Sequence, residues 1–362
     1  MRRFICLLLA AVSLAAAGAA PARAAAVPRV PANWFGVDVD GPLTSDPGAL
    51  TGEWGLMRPS GVGFVRLAVY WRDFEAQQGV DDLASTDAVV LAAAHRGLPV
   101  LPVVLGTPRW ARLDPEEAGS PPADPATFAH ALQALVLRYG PQGSLWAQHP
   151  EVAPQPIRAW QIWNEPNLPG YWSRQPFASA YVALLWAARQ ALKTIDPGAQ
   201  VILAGLPNKS WLALRAIYRA GGRGAFDAIA LHPYTSKVRY IVSLVRLARQ
   251  EAIRAYDGRR PIWLTEVSWP AAAGHDHQAP TGFLVTERDQ ARRLSQTFTS
   301  LAKVRRKLGI GRVVWYTWIS TEGHTTPSWA GFTGLRRVLR DGRVISAPAL
   351  TAFRRTVARL RR

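Results

Sequence analysis

Eight short β-rich runs, each followed by a helical pattern, predict an α/β chain in one domain, a (β/α)8 TIM barrel. Two further observations favour closure over an open doubly wound sheet. The runs are almost continuously apolar, as strands covered on both faces must be. No glycine-rich phosphate fingerprint follows the first run, which a nucleotide-binding open sheet needs. A chain of 362 residues suits one barrel with loop insertions.

The first segment is expected to lie outside that fold. Met1-Arg2-Arg3 is basic, residues 4–20 are apolar, and Ala22-Arg23-Ala24 puts small residues where a signal peptidase reads. This predicts a signal peptide over 1–24, a barrel domain over 25–362, and a secreted or cell-envelope protein. The run is Ala-rich and weakly hydrophobic for a span, so no stable membrane insertion is expected after cleavage. Cys6 is the single cysteine. Disulfides, thiolate metal sites and cysteine nucleophiles are thus excluded from the mature chain.

The elements follow in order. A first strand is placed at 34–40, with Asp46 set to cap the helix after it. A second at 64–71 precedes a helix over 83–96, which Gly97 ends as a C′ glycine. The third strand, 99–108, leads through a Pro-rich loop at 112–124 to a helix over 125–139. The fourth ends in WQIWNEPN, 160–167, and a helix over 177–195 stops at Asp196-Pro197-Gly198. Strands at 200–206, 228–234, 261–270 and 312–320 complete the eight, with helices near 209–220, 237–256 and 286–308 between them. A turn at 340–343 and a helix over 347–360 finish the chain.

The formal net charge is +18 and lysine occurs only at 193, 209, 237, 303 and 307, so the cations are mostly arginine. A GC-rich genome produces such a bias. So does an affinity for polyanions outside the cytoplasm, among them acidic polysaccharide, wall polymer and lipid headgroups. No nucleic-acid motif is present, and nucleic acid is not an expected partner.

In this fold the active site forms where strands finish. The polar strand ends are Asp38 and Asp40, Arg66 and Tyr70, Asn164 and Glu165, His232 and Tyr234, Glu266, Tyr316 and Trp318. Strand-one polar ends are often structural, so Asp38 and Asp40 are not taken as candidates. Glu165 and Glu266 each follow an apolar strand body, on strands nearly opposite in an eight-stranded barrel. Pro166 ends strand pairing because it has no N–H to donate. Two carboxylates facing across a pocket suit glycosidic cleavage. A gap of about 5–5.5 Å gives retention and roughly 6.5–9.5 Å gives inversion. The sequence leaves that distance open.

WNEPN (163–167) together with WLTEVSW (263–269) resembles the clan A retaining glycoside hydrolases, which are (β/α)8 barrels. Arg66, HPY at 232–234, WYTW at 315–318 and the closing GLRRVLRDGRVISAPALTAFRR extend the match over almost all the chain after the leader. Within the clan it looks most like family 39, with the cellulase-like family 5 as neighbour. The resemblance implies an O-glycosyl hydrolase working through a covalent glycosyl-enzyme. Glu165 would be the acid/base and Glu266 the nucleophile, held by Arg66 and Tyr234. Asn164 would bond the sugar 2-hydroxyl, His232 would orient the sugar or the nucleophile, and Trp318 would stack on the ring. No cofactor is implied. No residue cluster has metal-ligand spacing, and no G-x-S-x-G elbow occurs. Trp71, Trp110, Trp172, Trp269 and Trp329 fall in or beside loops at the same end and are candidate stacking surfaces, which favours endo action. Glu322 and His324 are further candidate contacts. The basic balance favours an anionic polysaccharide as the carbohydrate partner. A non-catalytic carbohydrate-binding barrel and a transglycosylase stay open as alternatives.

Overall fold

A computed structural model describes residues 29–45, 48, 50–274, 282–321 and 329–362. The signal-peptide expectation, Asp46, Glu322 and His324 lie outside the described residues. Among those described, no helix is long and apolar enough to cross a membrane.

Among the described residues, nine strands form one all-parallel sheet: β1 (Phe35–Asp38), β2 (Phe64–Tyr70), β3 (Val100–Leu105), β4 (Ala159–Ile162), β5 (Gln200–Ile202), β6 (Leu206–Pro207), β7 (Ile229–His232), β8 (Ile262–Val267) and β9 (Ile310–Trp315). Their order in the sheet is β5-β4-β3-β2-β1-β9-β8-β7-β6. β5 and β6 are two pieces of the fifth predicted strand. Ile202 bridges Ala228 just before β7, and Asn164 just after β4 bridges Gly205. The fifth strand therefore touches both neighbours, and the sheet curls until its two ends meet, as in TIM barrels.

The break in the fifth strand has a visible cause. Tyr181, on the helix Ala178–Ile195, donates its hydroxyl to Ile162 O at 2.7 Å and accepts from Ala204 N at 2.8 Å. A side chain thus stands in the ladder where a strand partner would be. The outer helices match the predicted ones to within two residues, because each presents an apolar stripe to the sheet. The helix Pro125–Tyr139 has proline in its first turn and Asp124 accepting from Ala126 N, an N-cap that fixes its start.

The eighth predicted strand is corrected. It leaves the sheet at Trp315, and Ile319–Thr321 instead begins β10 of a separate small sheet with β11 (Arg336–Val338) and β12 (Val344–Ser346). Thr317 Oγ1 and Trp318 N both donate to Asp38 O, at 2.7 and 2.8 Å, and this turns the chain away from the mouth.

Inside the barrel the layers change character along the strands. Phe64, Leu101, Ile202, Trp263 and Val314 plug the end where the strands begin. Above them sit Arg66, Gln161, His232 and Thr265, all buried and polar. Buried polar groups must find partners, and these find one another.

Candidate active site

Arg66 projects from β2 into the centre of the barrel. Its Nε donates to Gln161 Oε1 at 3.0 Å, Nη1 to Asp38 Oδ2 at 2.6 Å and Glu266 Oε1 at 2.9 Å, and Nη2 to Asn164 Oδ1 at 3.0 Å. Burial alone would lower the guanidinium pKa. Glu266, Asp38 and Asp40 outweigh it, so the group stays charged.

Glu266 takes its second bond from the Tyr234 hydroxyl, at 2.6 Å on Oε2. Burial pushes its pKa up, but His232, Arg66 and Tyr234 together hold it below the ordinary glutamate value. Burial and the adjacent Glu266 push the Tyr234 hydroxyl well up, so it stays a donor. Glu165 meets a different group. Its Oε1 lies 2.7 Å from His232 Nδ1, while His232 Nε2 lies 3.0 Å from Thr265 Oγ1 and 3.5 Å from Glu266 Oε1. Both glutamates are 8% exposed. One oxygen of each and a His232 nitrogen lie within 4.8 Å of one another. Three such atoms also suit a cation. Glu266 is already bonded by a guanidinium, however, whose charge would repel an ion at that oxygen.

How two strands aim these groups is a matter of broken alternation. In a regular strand, neighbours point to opposite faces. Asn164 and Glu165 both reach the mouth because Trp163 and Glu165 have φ of +69° and +44°. Such values are rare for bulky residues and mark a backbone held by its surroundings. Trp163 is locked by its Nε1 bond to Tyr171 O at 2.8 Å and by edge contacts with Phe128 and Trp172. On β8 the pairing with β9 slips between Leu264 and Val267. The extra residue is a bulge, which lets Thr265 and Glu266 both face inward.

Above the glutamates opens a cavity of about 820 Å³. Asn164, Arg66, Tyr234, Glu165 and Glu266 line it, with Asp40, Tyr171, Tyr316 and Trp329 around them. His232 is fully buried behind Glu165 and does not line it. A second cavity of about 580 Å³ continues past Asp40, Tyr70 and Tyr316 towards Asp73 and Asp82. Among the described residues lining the two cavities, Arg66 is the single Lys or Arg, and all its nitrogens are engaged. Burial pushes Asp40 above the usual carboxylate range, Arg66 pulls it back in part, and Glu266 adds to the rise. Burial and Asp40 do the same to Asp38, against Arg66.

Trp318 is a second correction. It is fully buried and its Nε1 donates to Glu53 Oε2 at 3.0 Å, away from the cavity. The turn at Thr317 is the reason. Trp71, Trp172 and Trp269 are likewise buried, and the partly buried Trp110 donates to Glu75 O at 3.0 Å. Of the five loop tryptophans only Trp329 lines the cavity, edge-on to Tyr234 at 5.1 Å between ring centroids. Sequence reasoning passed over Asp40 and Tyr171 as wall residues. The Asp-x-Asp at the end of the first strand was the available signal for Asp40, whereas Tyr171 carries no motif.

No family model matches the chain, and no curated protein matches it. Solved structures do. A family 39 glycoside hydrolase from Bacteroides cellulosilyticus superposes with TM-score 0.64 at 20% identity, over 91% of this chain and 64% of that one. A monomeric beta-xylosidase from Caulobacter crescentus gives 0.66 at 18%, over 91% and 69%. The GH5_18 protein from Streptomyces cattleya, in complex with GlcNAc, gives 0.66 at 18%, over 93% and 81%. The fold is that of clan A glycoside hydrolases. This chain spans just under two thirds of the Bacteroides protein's length.

Proposed function

We propose that this protein is an exported retaining glycoside hydrolase acting by double displacement. One observation carries the reading: carboxylate oxygens of Glu165 and Glu266 lie within 4.8 Å in surroundings that differ. That is close to the roughly 5–5.5 Å gap of double displacement and too narrow for the water that inversion places between carboxylates. Glu266, held ionised, attacks the anomeric carbon. The bond to the leaving oxygen breaks, and Glu165 gives that oxygen its proton. The product is a glycosyl ester on Glu266. Glu165, now a carboxylate, takes a proton from water as the water oxygen attacks the same carbon, and Glu266 leaves as carboxylate. Asn164 Oδ1 is occupied by Arg66, so its Nδ2 is the atom offered to the sugar 2-hydroxyl. Tyr316, Tyr171 and Trp329 supply the ring walls. Among the described residues the lining has three carboxylates and one engaged guanidinium, which suits a sugar that donates hydroxyl groups. The names of the neighbours, a beta-xylosidase and a GlcNAc complex, make neutral glycosides the first probes.

The test is a panel of chromogenic glycosides with wild type and Glu266→Ala, with the first-formed anomer read by NMR. Turnover with a retained anomer, absent in Glu266→Ala, supports the proposal. An inverted product, or full activity in Glu266→Ala, removes it. Sugar binding without turnover points to a carbohydrate-binding barrel, and transfer to an added acceptor sugar points to a transglycosylase. Export rests on residues 1–24; protein recovered from the envelope or medium is expected to begin at residue 25.

A further inference from the structure

The net charge of +18 is not spread evenly. In much of the molecule arginine is paired with acid: Arg138 with Asp87, Arg189 with Asp227, Arg215 with Glu251, Arg260 with Asp257, Arg336 with Glu53. One region differs. Residues 294–308 and 348–362, on two packed helices, hold nine Lys and Arg and no Asp or Glu, whereas Arg292, one turn earlier, is paired with Asp289. The segments leading into β1, β2, β3 and β9, at 29–33, 58–63, 95–99 and 303–309, also contain no acid. These surfaces are contiguous at the pole where strands begin. Arg361 Nη2 donates to Ala32 O at 2.6 Å and Gly61 O at 2.8 Å, Arg58 Nη1 to Gly97 O at 2.6 Å, and Arg359 Nη2 to Thr299 Oγ1 at 2.7 Å. Each of these arginines is anchored on a carbonyl or hydroxyl rather than a carboxylate. Among the described residues, Arg58, Arg96, Lys303, Arg306, Arg359 and Arg362 are exposed and make no ion pair. Burial and the nearby Arg58 lower the Arg361 pKa, so like charges do crowd here.

We propose that this basic half-pole is a docking surface for an acidic polysaccharide, separate from the acid-lined cavity at the opposite end. Uncompensated like charges cost stability in the free protein, and a polyanion removes that cost. Arginine forks pair carboxylates and sulfates through two parallel bonds, which suits a polymer bearing such groups at intervals. The exposed large apolar residues of the described chain include none on these two helices or the four segments, so the surface has nothing to insert into a bilayer. The inference does not depend on the glycosidase reading.

The experiment measures binding of the protein to polygalacturonate, to dextran, and to vesicles of phosphatidylglycerol with phosphatidylcholine, at low salt and at about 0.3 M salt. It compares wild type with Lys303→Glu/Arg306→Glu/Arg359→Glu. Polygalacturonate is expected to bind with affinity falling at least roughly tenfold over that salt range, and dextran not to bind. The triple variant is expected to lose at least about tenfold at low salt with an unchanged circular dichroism spectrum. Should it misfold, Lys303→Gln/Arg306→Gln read for the same loss decides in its place. Equal binding of dextran, full binding by the folded variant, or tighter binding to vesicles than to polygalacturonate overturns the proposal. Any of these leaves the glycosidase test untouched.

Discussion

Glu266 is bonded by Arg66 and Tyr234, and Glu165 by His232. That difference supports the separate roles proposed for them and sets two expectations. The native state holds the Glu266 pKa below its ordinary value. Its contribution to stability is therefore complete above the unfolded value and is lost as pH falls through the lowered native one. As the proposed nucleophile Glu266 follows the same sign, so the acid limb of kcat/KM belongs below the ordinary glutamate range. A pH–rate profile on a good substrate checks this, and an acid limb above pH 5 would contradict a clamped Glu266. For Glu165→Ala, turnover of alkyl glycosides is expected to fall by about 10²–10⁴, while nitrophenyl glycosides, whose leaving group needs no proton, lose far less. Added azide then restores rate through a glycosyl azide detectable by mass. Equal losses on both leaving groups would deny Glu165 the acid role.

At the scale of elements, both glutamates sit where a strand stops behaving as one. This explains what the sequence made legible. The eight apolar runs, the outer helices and both catalytic candidates were readable because periodicity and strand ends are local signals. Periodicity could not say that Asn164 and Glu165 face the same way, since that depends on left-handed backbone at Trp163 and Glu165. Nor could it place Trp318, whose direction is set by Thr317 reaching back to Asp38 across 279 residues. The break at 203–205 came from a tyrosine on a distant helix, again invisible to a local reading. One consequence is testable at Gly205. A Cβ there would lie 1.9 Å from His232 Nε2, and that imidazole is fixed on both sides by Glu165 and Thr265. Gly205→Ala is expected to cost about 1–3 kcal/mol in urea unfolding, as overpacking does, and to depress turnover by displacing the histidine from Glu165. An unchanged midpoint with unchanged turnover would mean that the two elements are not packed this closely.

At the scale of the whole molecule, charge is sorted by pole, acid at the mouth and uncompensated base where the strands begin. Salt acts on both kinds of charge, and which one wins decides the sign of its effect on stability. Pairs such as Arg138–Asp87 and Arg336–Glu53 have side chains less than one fifth exposed, so mobile ions screen them little. Arg58, Lys303, Arg306 and Arg359 are exposed. Their mutual repulsion is screened over a Debye length of about 8 Å at physiological ionic strength. Relief of repulsion should therefore outweigh loss of attraction. Sodium chloride, which lacks the strong exclusion of sulfate from protein surfaces, is expected to raise the melting temperature by on the order of 2 °C between low and physiological salt. Lys303→Glu/Arg306→Glu/Arg359→Glu places acids among the remaining arginines, turning repulsion into attraction, so the same addition should lower its melting temperature or leave it flat. A wild-type melting temperature that falls with salt would show that the basic pole carries no net repulsion, and the stability argument for a polyanionic partner would go with it.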